Sequence, residues 1–220
     1  MSDESKWFIV AVFLVNVLTP HLASSAMAKE WEFKNFVFGR TRISEWRGTV
    51  HQTATDFLGR TVTIAPYCEE EGRYANRDEV AVGIRRCNWY TPSASDTNVG
   101  VAGTLLQVGN AVANSDEWVF IDGVLAQYNA TMYEAQLENL LPPLRAKYGE
   151  PTRHHTERMK NAFGANYTND IYEWHLGNMD IVVRKYLGRL DQSGITISNP
   201  RLQKELDARF KRMHASTSGL

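Results

Sequence analysis

His154-His155-Thr156-Glu157 is the densest run of ionisable side chains that could ligate a metal or move a proton. His155-x-Glu157 matches the opening of a zinc-deaminase motif, but that motif also needs a later Pro-Cys-x-x-Cys, which this chain does not contain. The His-Glu-x-x-His of metalloproteases is absent as well. Placed just after Pro151, the run reads as a solvated loop. His175 stands between Trp174 and Leu176 in a predicted strand and points to the opposite face from both. It reads as an exposed sheet histidine. His51 lies off the apolar face of a predicted helix. A hydrolase built on His154, His155 and Glu157 is the alternative to a non-catalytic protein. No catalytic, cofactor-binding or metal-ligating residue is assigned, and no cofactor is expected.

Other candidates carry less. Gly100-Val101-Ala102-Gly103 lacks the Gly-Lys-Ser/Thr of a phosphate loop and the spacing of a dinucleotide site, and reads as a closely packed strand. Glu69-Glu70-Glu71 reads as a solvated acidic run. Arg201, Lys204, Arg209, Lys211 and Arg212 sit on a predicted terminal helix, where late positive charge suits the helix dipole. No Gly-x-Ser-x-Gly nucleophile motif occurs.

Cys68 and Cys87 are the two cysteines of the chain. In an exported protein they read as one structural disulfide. Without export they read as two buried thiols. There is no Cys-x-x-Cys for redox chemistry, and two cysteines make half a zinc ligand set.

Export is what the N-terminus predicts. Trp7 to Leu18 is apolar except for Asn16, and small residues follow up to Ala26-Met27-Ala28. That is the layout of a signal peptide over residues 1–28. The leader is acidic, with Asp3 and Glu4 against Lys6, so an uncleaved inner-membrane anchor over residues 7–28 is the alternative. After cleavage no membrane span is expected, and the location is periplasmic or secreted. Of 24 Lys and Arg and 25 Asp and Glu, Lys6, Asp3 and Glu4 precede residue 29, so the remainder is balanced in charge. No steering toward nucleic acid follows from that balance.

The elements that would position these groups suggest one α+β domain over residues 29–220. Hydrophobic residues make up 43% of the chain, enough for a core. Lys34 to Phe38 reads as a strand. Ile43, Trp46, Val50, Ala54 and Phe57 mark one helix face, with Ser44 as cap and Gly59 as stop. Thr61–Ile64 and Val80–Ile84 read as strands beside the cysteines, and Thr91–Asn98 as a loop. Asp122-Gly123 between apolar runs predicts a hairpin. Thr131 with Glu134 has capping-box spacing for a helix ending at Gly149-Glu150-Pro151, with a kink expected at Pro142-Pro143. Ile171–Leu176 and Met179–Tyr186 form a second hairpin around Gly177-Asn178. Gly194–Ser198 reads as a last strand. Asn199-Pro200 then opens a terminal helix with Leu202, Leu206, Phe210 and Met213 on its buried face and a frayed tail from 214. The expectation is an antiparallel sheet of hairpins with about three helices and one disulfide.

Phe120-Ile121-Asp122-Gly123-Val124-Leu125, Leu144-Arg145-Ala146-Lys147-Tyr148-Gly149-Glu150-Pro151, Asn161-Ala162-Phe163-Gly164, Tyr172-Glu173-Trp174 and Asp180-Ile181-Val182-Val183-Arg184 follow one another in order. In this the chain resembles small exported proteins of Gram-negative bacteria. It also loosely resembles small envelope-assembly and inhibitor domains that pack helices on an antiparallel sheet. The resemblance implies no site residues. A non-catalytic binding or interaction protein of the envelope, such as an assembly factor, inhibitor or immunity-type partner of another envelope protein, is expected from the core signals, the disulfide and the lack of an assembled catalytic set, not from the resemblance.

Overall fold

The structure is a computed structural model. It describes residues 30–49, 52–55, 61–69, 76–90, 107–160 and 164–217. The expected signal segment 1–28, the loop at Thr91–Asn98, the glycine run 100–103, Glu70-Glu71 and His51 lie outside the described residues.

The segments in chain order are α1 (Ile43–Gly48), β1 (Gln52–Thr55), β2 (Thr61–Cys68), α2 (Arg77–Ala81), β3 (Ile84–Tyr90), β4 (Gln107–Val108) and β5 (Ala111–Val112). There follow β6 (Ser115–Ile121), β7 (Val124–Tyr133), α3 (Leu137–Tyr148), β8 (Arg153–Lys160), β9 (Asn166–His175), β10 (Asp180–Arg184), β11 (Gln192–Ser198) and α4 (Pro200–Thr217). Nine strands form one sheet in the order β1-β2-β3-β6-β7-β11-β10-β9-β8, and β4 pairs β5 apart from it. Every pairing is antiparallel. The expected α+β class therefore stands. The expected antiparallel sheet is present as one continuous sheet of nine strands rather than a set of hairpins, and the described residues hold four α-helices instead of about three.

The extra helix, α2, arises where a strand over Val80–Ile84 was expected. Asn76 caps it, its side-chain oxygen accepting from the N–H groups of Asp78 (3.2 Å) and Glu79 (3.3 Å). This local chemistry outweighs the β-branched Val80 and Val82, and the strand starts only at Ile84. α1 ends at Gly48 rather than running on toward Gly59. A glycine followed by β-branched Thr49 and Val50 is poor helix, and residues 52–55 instead gain a ladder on β2. Lys34 to Phe38 is not a strand: Phe33 and Phe36 exchange backbone bonds of 3.0 and 2.9 Å around Lys34 and Asn35, both at positive φ. Thr131 caps nothing, because it lies within β7 opposite Ser115 and Gly194; a 3-10 turn, Glu134–Gln136, leads into α3. α3 runs on through Pro142 and Pro143, and Gly109 packs so close to Pro143 that a Cβ there would lie 2.9 Å from it.

The hairpin at Asp122-Gly123 forms as its sequence predicts, with φ of 48° and 77°. The hairpin at Gly177-Asn178 and the strand ending at Ser198 also form. Cys68 and Cys87 stand opposite each other on β2 and β3 and are bonded. Among the described residues no helix is long and apolar enough to cross a membrane.

Alternation along the strands separates the two faces of the sheet. One face carries Trp118, Phe120, Tyr128, Met132, Trp174, Ile181 and Ile195, packed against Leu140 and Leu144 of α3, Trp46 of α1 and Phe33, Phe36 and Phe38. On the other face Ile84, Val119, Ile121 and Ala126 meet Leu202 and Leu206 of α4, with Phe210 partly buried beside them, while farther along Leu187 packs on Gly194 and Asn169 is buried against Tyr186.

Candidate functional site

Beyond α4, this second face is polar, and the pairing register lays its side chains in rows. Glu117, Asn129, Thr196, Val182, Glu173 and Arg153 are successive partners across six strands. Near α4 the row is hydrogen-bonded throughout. Arg86 reaches both Glu79 (Nε to Oε2, 2.7 Å) and Glu117 (Nη1 to Oε2, 2.8 Å). Asn129 donates to Glu117 at 3.1 Å and accepts from Gln127 and Thr196 at 2.7 and 3.1 Å. Burial would lower the pKa of the Arg86 guanidinium, but its bonds to Glu79 and Glu117 outweigh that and hold it above its usual value. The Phe210 ring lies 5.7 Å from the Arg86 guanidinium carbon and covers the pair. Glu69, nearby, has its carboxyl raised by burial and then by the charge of Glu117.

At the far end of the row the chemistry gathers on Glu173. Its Oε2 lies 3.6 Å from His175 Nε2 and 3.8 Å from Arg153 Nη1, and its Oε1 lies 4.0 Å from His155 Nδ1. His155 Nε2 also lies 3.8 Å from Glu157 Oε1. His175 Nδ1 meets Asp180 Oδ1 at 3.0 Å, so the Asp180 carboxylate orients that ring. The Glu173 side chain is 17% exposed, against 52% for His175 and 63% for Arg153. A carboxylate at the floor of the sheet is thus fenced by longer, more exposed basic side chains. Strand alternation gives this layout: Glu173 and His175 are two residues apart on β9, and Arg153, His155 and Glu157 are spaced by two on β8.

His154, His155 and Glu157 belong to an edge strand, β8, and not to the loop expected after Pro151. Pairing with β9 over eight residues gives ladder bonds to the inward-facing half of its backbone groups, which a loop would leave to solvent. The strand also divides the expected set. His154 faces the opposite side from its neighbour, stacks on Tyr172 at 4.3 Å and lies 3.4 Å from Asp170. His155 and Glu157 stay together. His175 is exposed and opposite Trp174, as its position predicts. Glu173, Arg153 and Asp180 escape a search for dense motifs, although the two-residue spacing of Glu173 and His175 is a readable sign. Among the described residues no group of three or more His, Cys, Asp or Glu is arranged to hold a metal ion. No protein-family model matches the chain, and no similar chain is found among curated proteins or solved structures.

Proposed function

We propose that this chain is an exported envelope protein that acts by binding another envelope protein, without catalysis, through the polar sheet face centred on Glu173. The observation that carries this reading is the convergence of Arg153, His155 and His175 on the Glu173 carboxylate, with Arg153 and His175 reaching the surface. Basic groups already set in place by Glu173 and Asp180 give up little freedom when a partner arrives. The heads of Arg153 and His175 remain exposed enough to meet one, whereas Nδ1 of His155 is buried. The Cys68–Cys87 disulfide suits an oxidising compartment. The resemblance to exported proteins points the same way.

The test is cross-linking in intact cells. Wild-type protein should yield a discrete partner that Glu173→Lys loses while keeping the wild-type melting temperature. Failure to recover a partner at native abundance, or its full retention by Glu173→Lys, refutes the assignment of this face. Export has its own readout, since the intact mass of envelope-recovered protein should lack residues 1–28. Full-length protein in the membrane fraction would place the chain at the inner membrane. The hydrolase alternative now rests on His155 and Glu157 without His154. Loss of the gene's phenotype in His155→Ala, with partner recovery unchanged, would favour it.

A further inference from the structure

We propose that the outer face of α4 docks the protein on an anionic bilayer surface, with Arg201, Lys204, Lys211 and Arg212 meeting the phospholipid headgroups. At about 3.6 residues per turn the four side chains fall within about 100° of the helix circumference, in the order Lys211, Lys204, Arg201, Arg212. Along the axis they cover about 16 Å. All four are exposed, and Ala208 between them adds no bulk. The stripe uses none of the residues around Glu173.

The apolar side of α4 is engaged with the sheet, where Leu202 and Leu206 pack on Ile84, Val119 and Ile121. The helix therefore has no apolar face to insert among acyl chains, and contact rests on charge. Little within the fold cancels that charge. Glu205 is bonded to Arg209, which also holds Asp122. Asp207 accepts from Gln203 at 3.0 Å and flanks the stripe on one side. None of the four basic side chains has a hydrogen bond or ion pair among the described residues. The helix dipole does not account for the stripe either, because its effect is confined to the end turns. Lys211 and Arg212 stand more than a turn before Thr217. Arg201 is in the first turn, which holds no acid and where positive charge is unfavourable. An external anion supplies the compensation that the fold does not.

Shape decides the class of anion. The solvent-facing side of a helix is convex, so a compact ligand touches one or two of these heads, whereas an extended surface meets all four. No bond fixes the guanidinium of Arg201 or Arg212, so the stripe holds no preset fork for one particular carboxylate. Flexible heads along a ridge match headgroups that move laterally against them, and each basic group near an anionic leaflet contributes about fivefold to partition. The chain as a whole has a formal charge of -1, so the attraction comes from the stripe and not from net charge.

Co-sedimentation with phosphatidylcholine vesicles, with and without about 30 mol % phosphatidylglycerol, tests this on the protein as recovered from cells. Neutral vesicles read any uptake through the apolar run from Trp7 to Leu18, which does not depend on lipid charge. At low salt, partition onto the anionic vesicles should be about a hundredfold stronger or more, and about 0.5 M sodium chloride should abolish that gain. The salt dependence is a readout that needs no variant to fold. Lys204→Gln combined with Lys211→Gln should weaken anionic partition by about twentyfold. Arg158→Gln combined with Lys160→Gln removes the same charge from β8 and should leave it nearly unchanged. Equal partition onto the two vesicle types overturns the proposal, as does a gain that survives high salt. So does full retention of the gain by the α4 variant, or an equal loss in the β8 variant. Soluble polyglutamate at the same charge concentration should displace little of the bound protein; if it strips the vesicles, the stripe prefers an acidic chain and the lipid assignment falls.

Discussion

Asn199 offers a stringent test of how the helices are fixed to the sheet, because its side chain makes four hydrogen bonds to three parts of the chain. Its Oδ1 accepts from the N–H groups of Arg201 (3.2 Å) and Leu202 (3.1 Å), capping α4. Its Nδ2 donates to Phe38 O (3.2 Å) and Asn178 O (2.9 Å), joining the N-terminal segment to the β9–β10 turn. The residue is 9% exposed, so water cannot easily replace these partners. Asn199→Ala removes a cap worth about 1 kcal/mol and leaves two carbonyls short of a donor at about 1 kcal/mol each, for a loss of about 3 kcal/mol. Asn199→Asp separates the two roles. Aspartate caps as well as asparagine, so a residue that only capped would lose nothing. Here the second carboxylate oxygen would face the carbonyls of Phe38 and Asn178, and Asp should cost as much as Ala at neutral pH. That repulsion raises the folded-state pKa of the new carboxyl. The deficit relative to wild type should therefore shrink as pH falls through that raised value and the group becomes a donor again. Gly39 supplies a cross-check, since its φ is +86° and a Cβ there would lie 2.6 Å from Asn199 Nδ2. Gly39→Ala should cost less in the Asn199→Ala background than in wild type. Urea unfolding at neutral and acidic pH reads all of these. Asn199→Asp as stable as wild type at pH 7, with Asn199→Ala within about 0.5 kcal/mol of it, would refute the reasoning.

Reducing the Cys68–Cys87 bond releases a loop of sequence separation 19 and should cost about 3 kcal/mol, read as a lower urea midpoint; two free thiols in unreduced, denatured protein would refute the bond. Leu206→Ala should cost about 2–5 kcal/mol, because Leu206 is 3% exposed between α4 and the sheet; an unchanged melting temperature would mean that α4 is not docked there. The Asp122 carboxyl is held below its ordinary value by its hydrogen bonds to Arg209. Its contribution is therefore present above the unfolded carboxyl range, about 4, and lost as pH falls through the lower folded value. Asp122→Asn, which keeps a residue suited to positive φ, should flatten that part of the pH–stability curve; a curve identical to wild type would show that the pair contributes nothing.

Short-range signals were legible where backbone chemistry alone decides the outcome. Asp122-Gly123 forms its turn because both residues tolerate positive φ, and Asn199-Pro200 opens its helix because the cap and the fixed proline φ act within three residues. Periodicity misled where two structures compete for the same residues. The apolar positions from Ile43 to Phe57 fit a helix, yet strand addition at Gln52–Thr55 provides cross-strand bonds that no helical pattern reveals. Lys34 and Asn35 show the same limit, since neither type demands positive φ and the aromatic packing of Phe33 and Phe36 on Trp118 fixes their turn. The disulfide partners were readable because the chain has only two cysteines. The strand that holds Cys87 was misplaced, because Asn76 begins a helix where Val80 and Val82 suggest a strand.

The site follows the same logic and explains why a dense motif was a poor guide. On a loop, adjacent ionisable residues can turn toward one point, which makes His154-His155-Thr156-Glu157 look like a unit. On a strand, neighbours must face opposite ways, so His154 goes to Tyr172 and His155 to Glu173. What a strand does assemble is every second residue together with whatever the register sets opposite. That rule yields Glu173 with His175 along β9, and Arg153 and His155 beside them on β8. It also predicts which substitutions matter to one another. Arg153→Ala and His175→Ala both remove a neighbour of the Glu173 carboxylate, so their effects on partner binding should be coupled. His154→Ala, one residue from both Arg153 and His155 in sequence, should be additive with each, because the sheet lies between them.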